Sequence, residues 1–234
     1  MKRTAGPSPK QVKPASTRSR LRDWIEIAIA YTLIMAVVWT PQPLQRVLWV
    51  VAAAGVIFII WRSFDSWNAT GLRAANFGRS LWIAGVAFVL AGAAVAVAAR
   101  MHTLHVESGL FDSYLAYAIW AGVQQFLLQG FFLLRLLRVI PKAWAAALAT
   151  AVLFASAHVP NPILVPITLF WGFAACLHFL RYRNLYPLMI AHAILGITVA
   201  VTIPKPAVHN MRVGLGYLNY SPSMHAHRFH RPGL

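Results

Sequence analysis

Apolar runs of about 20 residues recur along this 234-residue chain and constrain its fold more than any other feature. A helix needs a run of that length to cross a bilayer, because each residue rises about 1.5 Å across a hydrocarbon core about 30 Å thick. Hydrophobic residues make up 59% of the chain and charged residues 11%, against roughly 25% charged residues in a soluble domain. The sequence therefore predicts an all-α, polytopic membrane helix bundle of about seven transmembrane helices.

The limits of the apolar runs give the predicted spans. They cover residues 24–40, 43–61, 80–99, 113–138, 143–158, 163–180 and 185–203. Together the spans form one transmembrane domain over residues 23–203, after a basic, disordered tail of residues 1–22. Residues 204–234 are rich in Gly, Pro, Asn and His and show little apolar periodicity, so we predict an irregular segment there.

Basic residues are distributed unevenly between the two sides of the predicted bundle. Fifteen of the 21 Lys and Arg residues lie in the N-terminal tail and in the loops on its side of the membrane. The positive-inside rule then places the N-terminus on the cytoplasmic side of the membrane. We expect this membrane to be the plasma membrane, which is the inner membrane in a bacterium, and we expect membrane lipid as a partner. The net charge of +16 does not indicate nucleic-acid binding, because no basic face interleaved with aromatic residues is visible.

Six Gln and His side chains lie inside the predicted spans, where polar groups are costly to bury. They are Gln124, Gln125 and Gln129 in the fourth span, His158 ending the fifth, His178 in the sixth and His192 in the seventh. Glutamines that only link helices by hydrogen bonds would explain part of this pattern. Polar side chains on the interior faces of three separate spans favour a shared site instead. For His178, beside a basic turn, we expect a structural role.

The order and spacing of these residues resemble the CPBP family, the CAAX-protease and bacteriocin-processing family of intramembrane endopeptidases. The family pattern is Glu-Glu-x-x-x-Arg, then Phe-x-x-x-His, then His-x-x-x-Asn on successive membrane helices. The corresponding stretches here read QQFLLQG, FASAH and HAILG, within a core of residues 113–203. The matched positions are, in order, Gln124, Gln125, Gln129, Phe154, His158, His192 and Gly196. Glutamine thus replaces both glutamates and the arginine, and glycine replaces the asparagine.

The resemblance implies an intramembrane endopeptidase that acts on membrane-associated peptides. In such enzymes a glutamate activates a water molecule for attack on a peptide carbonyl, while the histidines and the asparagine polarise the carbonyl or stabilise the oxyanion. The implied catalytic positions are Gln124, Gln125, His158 and His192, and the implied substrate-binding positions are Gln129, Phe154 and Gly196. A glutamine amide can hold the water molecule but cannot accept its proton, so the glutamines remove the general base.

Two interpretations of this departure remain open. One is an active endopeptidase whose base comes from elsewhere, namely His158, His192 or Glu107. The other is a catalytically inactive pseudoprotease that binds hydrophobic or lipidated peptides without cutting them. A third hypothesis, from a different class, is a haem- or quinone-binding membrane protein in which the two histidines are axial ligands.

No cofactor is expected from the sequence pattern. His158 and His192 could supply two nitrogen ligands to a divalent metal, whereas a catalytic zinc normally takes three protein ligands. Other histidines lie near the chain's loops and C-terminus, at His102, His105, His225, His227 and His230. We expect these to bind metal only adventitiously, as exposed His-rich tracts do.

Overall fold

A computed structural model describes residues 17–105 and 110–221, and in those residues the chain forms helices and no strands. The helices are α1 (Thr17–Val38), α2 (Leu44–Arg62), α3 (Trp67–Thr70), α4 (Phe77–Ser80), α5 (Trp82–Arg100), α6 (Leu110–Gln125), α7 (Leu134–Val139), α8 (Ala143–Ser156), α9 (Leu164–Tyr182), α10 (Tyr186–Thr202), α11 (Lys205–Val208) and α12 (Gly214–Leu218). A π-helical segment, Phe126–Leu133, joins α6 to α7, and the 3-10 turn His209–Met211 follows α11.

Each predicted span coincides with a helix, which confirms the polytopic helical bundle. Four helical stretches of the described chain are long and apolar enough to cross a membrane: Leu44–Arg62, Phe77–Arg100, Ser113–Val139 and Leu164–Tyr182. The helices α8 and α10 are equally apolar but shorter. The remaining predicted span corresponds to α1, whose first turns carry charged side chains.

The bundle brings α10 between α5 and α6, pairs α8 with α9, and packs α1 against α2 and α7. The π-helical segment contacts α3, α8 and α9 at the centre of this arrangement. Close approach of α8 and α9 depends on small residues, since Ala147 and Ala151 are fully buried and a Cβ at Gly172 would lie 3.4 Å from the Ala151 backbone. These contacts place the fourth, fifth, sixth and seventh predicted spans side by side.

Two boundaries differ from the sequence prediction. Helix α1 begins at Thr17, so residues 17–22 of the predicted disordered tail are helical. Arg22 explains the extension, because it pairs with Glu26 one turn later at 2.7 Å and also donates to the Arg62 carbonyl. The predicted irregular segment contains α11 and α12, which are held to the bundle where Asn161 donates to the Val208 carbonyl at 2.8 Å.

Ion pairs close one end of the bundle, which we call the basic end. The members of this cluster are Arg22, Asp23, Glu26, Asp65, Arg135 and Arg138. Arg135, whose side chain is 3% exposed, pairs with Glu26 at 2.8 Å and donates to the Phe131 carbonyl at 3.2 Å. The cluster therefore ties α1 and the loop after α2 to the residues that follow the π-helical segment.

We predict that Glu26→Gln lowers the free energy of unfolding by about 3–5 kcal/mol, because it leaves the buried Arg135 guanidinium without its counter-charge. The matched control is Arg22→Gln, which removes the exposed partner of the same carboxylate. That change should cost no more than about 1 kcal/mol. Denaturant unfolding in detergent micelles measures both values, and equal losses would contradict the role assigned to Arg135.

Candidate functional site

A direct hydrogen bond joins Gln125, the last residue of α6, to His192 in the middle of α10. The Gln125 amide Nε2 donates to His192 Nδ1 at 2.9 Å, and both side chains are buried. An amide nitrogen donates but does not accept, so His192 Nδ1 carries no proton. The ring proton of His192 therefore lies on Nε2, which is a donor.

His158 has the opposite arrangement of its ring proton. Its Nδ1 lies 2.7 Å from the Phe154 carbonyl oxygen one turn earlier. A carbonyl only accepts, so Nδ1 carries the proton and Nε2 keeps a lone pair. The Phe154 ring contacts both histidines, with its centroid 4.9 Å from the His158 ring and 5.9 Å from the His192 ring.

A cavity of about 100 Å³ lies on the His158 side of this ring. Gln124, Phe154 and His158 line it together with Tyr31 from α1 and Trp120 from α6. Its volume corresponds to about three water molecules. Gln124 and His158 therefore line the cavity, whereas Gln125 and His192 are not among its lining residues.

Unpartnered polar atoms surround the Gln125–His192 pair. Gln129 lies in the π-helical segment and is fully buried, with the Cys176 thiol as the polar group nearest to its amide. Neither amide atom makes a hydrogen bond of normal geometry to the described residues. The same holds for Gln125 Oε1 and for Nε1 of Trp171, whose ring centroid lies 6.0 Å from that of His192. A buried polar group without a partner costs about 1–3 kcal/mol. Four such atoms therefore lie near the Gln125–His192 pair in the described part of the chain.

Tyr117 occupies the space that a side chain at position 196 would need. A Cβ built on Gly196 would overlap the Tyr117 hydroxyl oxygen. Gly196 lies one helical turn after His192, and Tyr117 lies two turns before Gln125, so the hydroxyl adjoins the same pair of helix faces. The hydroxyl makes no hydrogen bond to the described residues.

Sequence reasoning missed Tyr117 and Trp171. The signal for Tyr117 was its eight-residue spacing from Gln125, which keeps both on one face of a helix. The sequence gives no indication that Trp171 belongs to the site, because a tryptophan in an apolar span usually packs against neighbouring helices. Its position beside His192 arises from the contact of α9 with the π-helical segment.

The charged residues of the described chain lie away from this site. The carboxylates of Asp23, Glu26 and Asp65 belong to the ion-pair cluster at the basic end. Glu107, the predicted replacement base, lies outside the described residues, as do His225, His227 and His230. The ionisable groups that the structure places beside the site are the two histidines, the thiol of Cys176 and the phenols of Tyr31 and Tyr117.

The other histidines have separate surroundings. His178 donates from Nε2 to the Ser80 carbonyl at 3.0 Å and stacks near Trp82 and Tyr182, which agrees with the expected structural role. His105 donates to the Thr103 carbonyl at 2.9 Å, near the end of α10. Among the described residues no three His, Cys, Asp or Glu side chains come together as a metal site would require.

Comparison with known proteins bears on the segment that holds every candidate residue. Residues 106–198 match the family model described as Rce1-like, type II CAAX prenyl endopeptidase Rce1-like. No curated protein and no solved structure is similar enough to this chain to count as a match. Residues 106–198 are therefore similar to the family that the motifs resemble, the CAAX-protease and bacteriocin-processing family.

Proposed function

We propose that this protein binds a hydrophobic or lipidated peptide within the membrane and does not cleave it. The observation that carries the proposal is the neutral Gln125–His192 hydrogen bond, set among buried polar atoms that have no partner. The family match supports a protease-like site for membrane-associated peptides. The absence of a carboxylate at the site of the described chain supports binding over hydrolysis.

The hydrogen-bonding groups of the site are those that a peptide backbone requires. Donors are His192 Nε2, Trp171 Nε1 and the Gln129 amide nitrogen, and acceptors are Gln125 Oε1 and the Gln129 amide oxygen. Each peptide unit offers one N–H and one C=O. A neutral set of both kinds satisfies such units in hydrocarbon, where water does not reach them. It offers no counter-charge to an ionic ligand.

Hydrolysis would require a group that takes a proton from the attacking water molecule. Neither Gln125 nor Gln124 can do so, and His192 already carries its proton on Nε2, the nitrogen that its Gln125 contact leaves available. The carboxylates of the described chain lie at the basic end. The site therefore keeps the hydrogen bonds of a hydrolase without its proton acceptor.

An active endopeptidase is the second candidate, and one observation favours it. His158 Nε2 keeps its lone pair beside a cavity large enough for about three water molecules, with Gln124 on the same cavity. His158 would then act as the base and Gln124 would hold the water molecule. A haem ligated by both histidines is less favoured, because the Gln125 amide occupies His192 Nδ1 and leaves the ring proton on Nε2, the nitrogen that would have to bind the iron.

We predict that the purified protein retains hydrophobic peptides and releases them uncut. His192→Ala should weaken retention roughly tenfold, since it removes one donor and leaves the Gln125 amide unpaired. The control is His178→Ala, which removes a buried histidine that contacts Ser80 instead of the site. Retention of fluorescent peptides in detergent, with mass spectrometry of the same samples, gives both readouts.

Cleavage in that experiment would decide between the two candidates. Reproducible cleavage that is lost in His158→Ala would refute the binding-only proposal and support His158 as the base. Cleavage that appears only in Gln124→Glu or Gln125→Glu would support the binding-only proposal, because the natural protein would then lack nothing but the proton acceptor. An absorption band of bound haem in the wild-type sample would contradict both peptide-based candidates.

We also predict that Gly196→Ala destabilises the protein by about 1–3 kcal/mol, because the new Cβ overlaps the Tyr117 hydroxyl. Tyr117→Ala in the same chain should recover most of that loss. Gly85→Ala in α5 is the control, since a Cβ there meets nothing within 4 Å, and it should be neutral or stabilising. Additive effects of Tyr117→Ala and Gly196→Ala in a double-mutant cycle would show that Tyr117 does not fill this space.

A further inference from the structure

Two connecting segments are joined by hydrogen bonds at the basic end of the bundle. Asn184, fully buried in the turn between α9 and α10, donates to the carbonyls of Arg73 and Ala75 at 2.8 Å each. The Leu185 amide donates to the Gly71 carbonyl at 2.9 Å. These bonds fix the loop before α4 against the turn after α9, so that side chains on both are presented in a defined arrangement.

This arrangement brings two arginines together. Arg73 Nε donates to the Arg183 carbonyl at 2.9 Å, and the Arg183 guanidinium lies 5.4 Å from the Phe179 ring centroid. The Arg183 guanidinium makes no hydrogen bond to the described residues, and its backbone adopts a left-handed conformation with φ of 51°. Burial, and then the nearby charge of Arg73, lower the pKa of Arg183. The fold thus holds two like charges together.

The chain leaves no carboxylate among its described side chains free to offset them. It contains five Asp and Glu residues in all, and three of these, Asp23, Glu26 and Asp65, pair with Arg22, Arg135 and Arg138. The other two, Glu107 and Asp112, lie in sequence around the start of α6, and α6 runs from the far end of the bundle towards the basic end. Among the described side chains no counter-charge remains for Arg73 and Arg183, which leaves the pair open to an anion from another molecule.

The position of the pair matches the depth of lipid headgroups. Arg183 directly follows α9, one of the helices long enough to cross a membrane. The indole Nε1 of Trp82 donates to the Tyr182 hydroxyl at 3.2 Å beside it, and Trp and Tyr concentrate at the membrane–water interface. Guanidinium groups bind phosphate oxygens through two parallel N–H donors.

We propose that Arg73 and Arg183 form a binding site for a phosphate group, as carried by the headgroup of an anionic phospholipid. The site is independent of the Gln125–His192 pair and of the function proposed for it. Arg183 contributes a guanidinium that makes no hydrogen bond to the described residues, and Arg73 contributes the charge beside it and fixes the turn. A free phosphate ion offers the same chemistry, so the experiment must separate the two sources.

The test measures thermal unfolding of the full chain in nanodiscs of phosphatidylcholine, with and without phosphatidylglycerol. We expect phosphatidylglycerol to raise the unfolding temperature of the wild type, and Arg183→Gln to weaken the apparent affinity for this lipid roughly tenfold. Glutamine keeps the same left-handed backbone constraint as arginine, so the substitution changes chiefly the charge. The control is Arg62→Gln, which removes the same charge from an exposed arginine at the same end of the bundle. This variant should keep the full stabilisation by phosphatidylglycerol.

Equal losses in Arg183→Gln and Arg62→Gln would overturn the proposal, because the effect would then be one of overall charge. An unchanged response in Arg183→Gln would overturn it as well. A third arm adds inorganic phosphate to discs of phosphatidylcholine alone. Stabilisation there that requires Arg183 would identify free phosphate as a ligand of the site, whereas stabilisation only by phosphatidylglycerol would identify the lipid. Native mass spectrometry of retained phosphatidylglycerol gives an independent count for each variant.

Discussion

The contact between Arg135 and Glu26 is the interaction on which the rest of the bundle depends. A guanidinium that is 3% exposed inside a membrane protein needs its counter-charge at one defined place. Glu26 supplies it from α1, and the carbonyl of Phe131 takes a second donor of the same guanidinium. Because Phe131 belongs to the π-helical segment, this contact fixes the segment in both rotation and depth. Gln125 and Gln129 take their positions from it.

The same contact determines where charge is absent. Three of the five carboxylates in the chain are committed to arginines at the basic end. The interior around His192 is left with amides, an indole, a thiol and imidazoles, which are neutral groups that can be buried without a counter-ion. A glutamate at position 125 would add one uncompensated charge to this interior. The site is neutral because the described carboxylates pair with arginines at the basic end of the bundle.

The sequence predicted the helices and the candidate residues better than their relative geometry. Seven apolar runs were enough to predict seven helices, since only a helix satisfies its own backbone in hydrocarbon. The π-helical segment was not predicted, because FLLQGFFL is apolar apart from Gln129 and shows no periodicity that distinguishes π from α. Its wider turns direct Gln129 towards Cys176 instead of the cavity at His158. The packing of Tyr117 over Gly196 depends on two helices that are far apart in sequence, and no local pattern reveals it.

A glutamine at position 125 does more than delete a proton acceptor. A carboxylate there could only accept from His192 Nδ1, which would leave Nε2 with its lone pair free to act as a base. The Gln125 amide donates to that same Nδ1 and so moves the ring proton to Nε2. Glutamine in place of glutamate at position 125 therefore removes a possible base from that side chain. It also converts His192 Nε2 from a hydrogen-bond acceptor into a donor. In the proposed function the pair therefore holds a carbonyl group by a hydrogen bond and does not activate water.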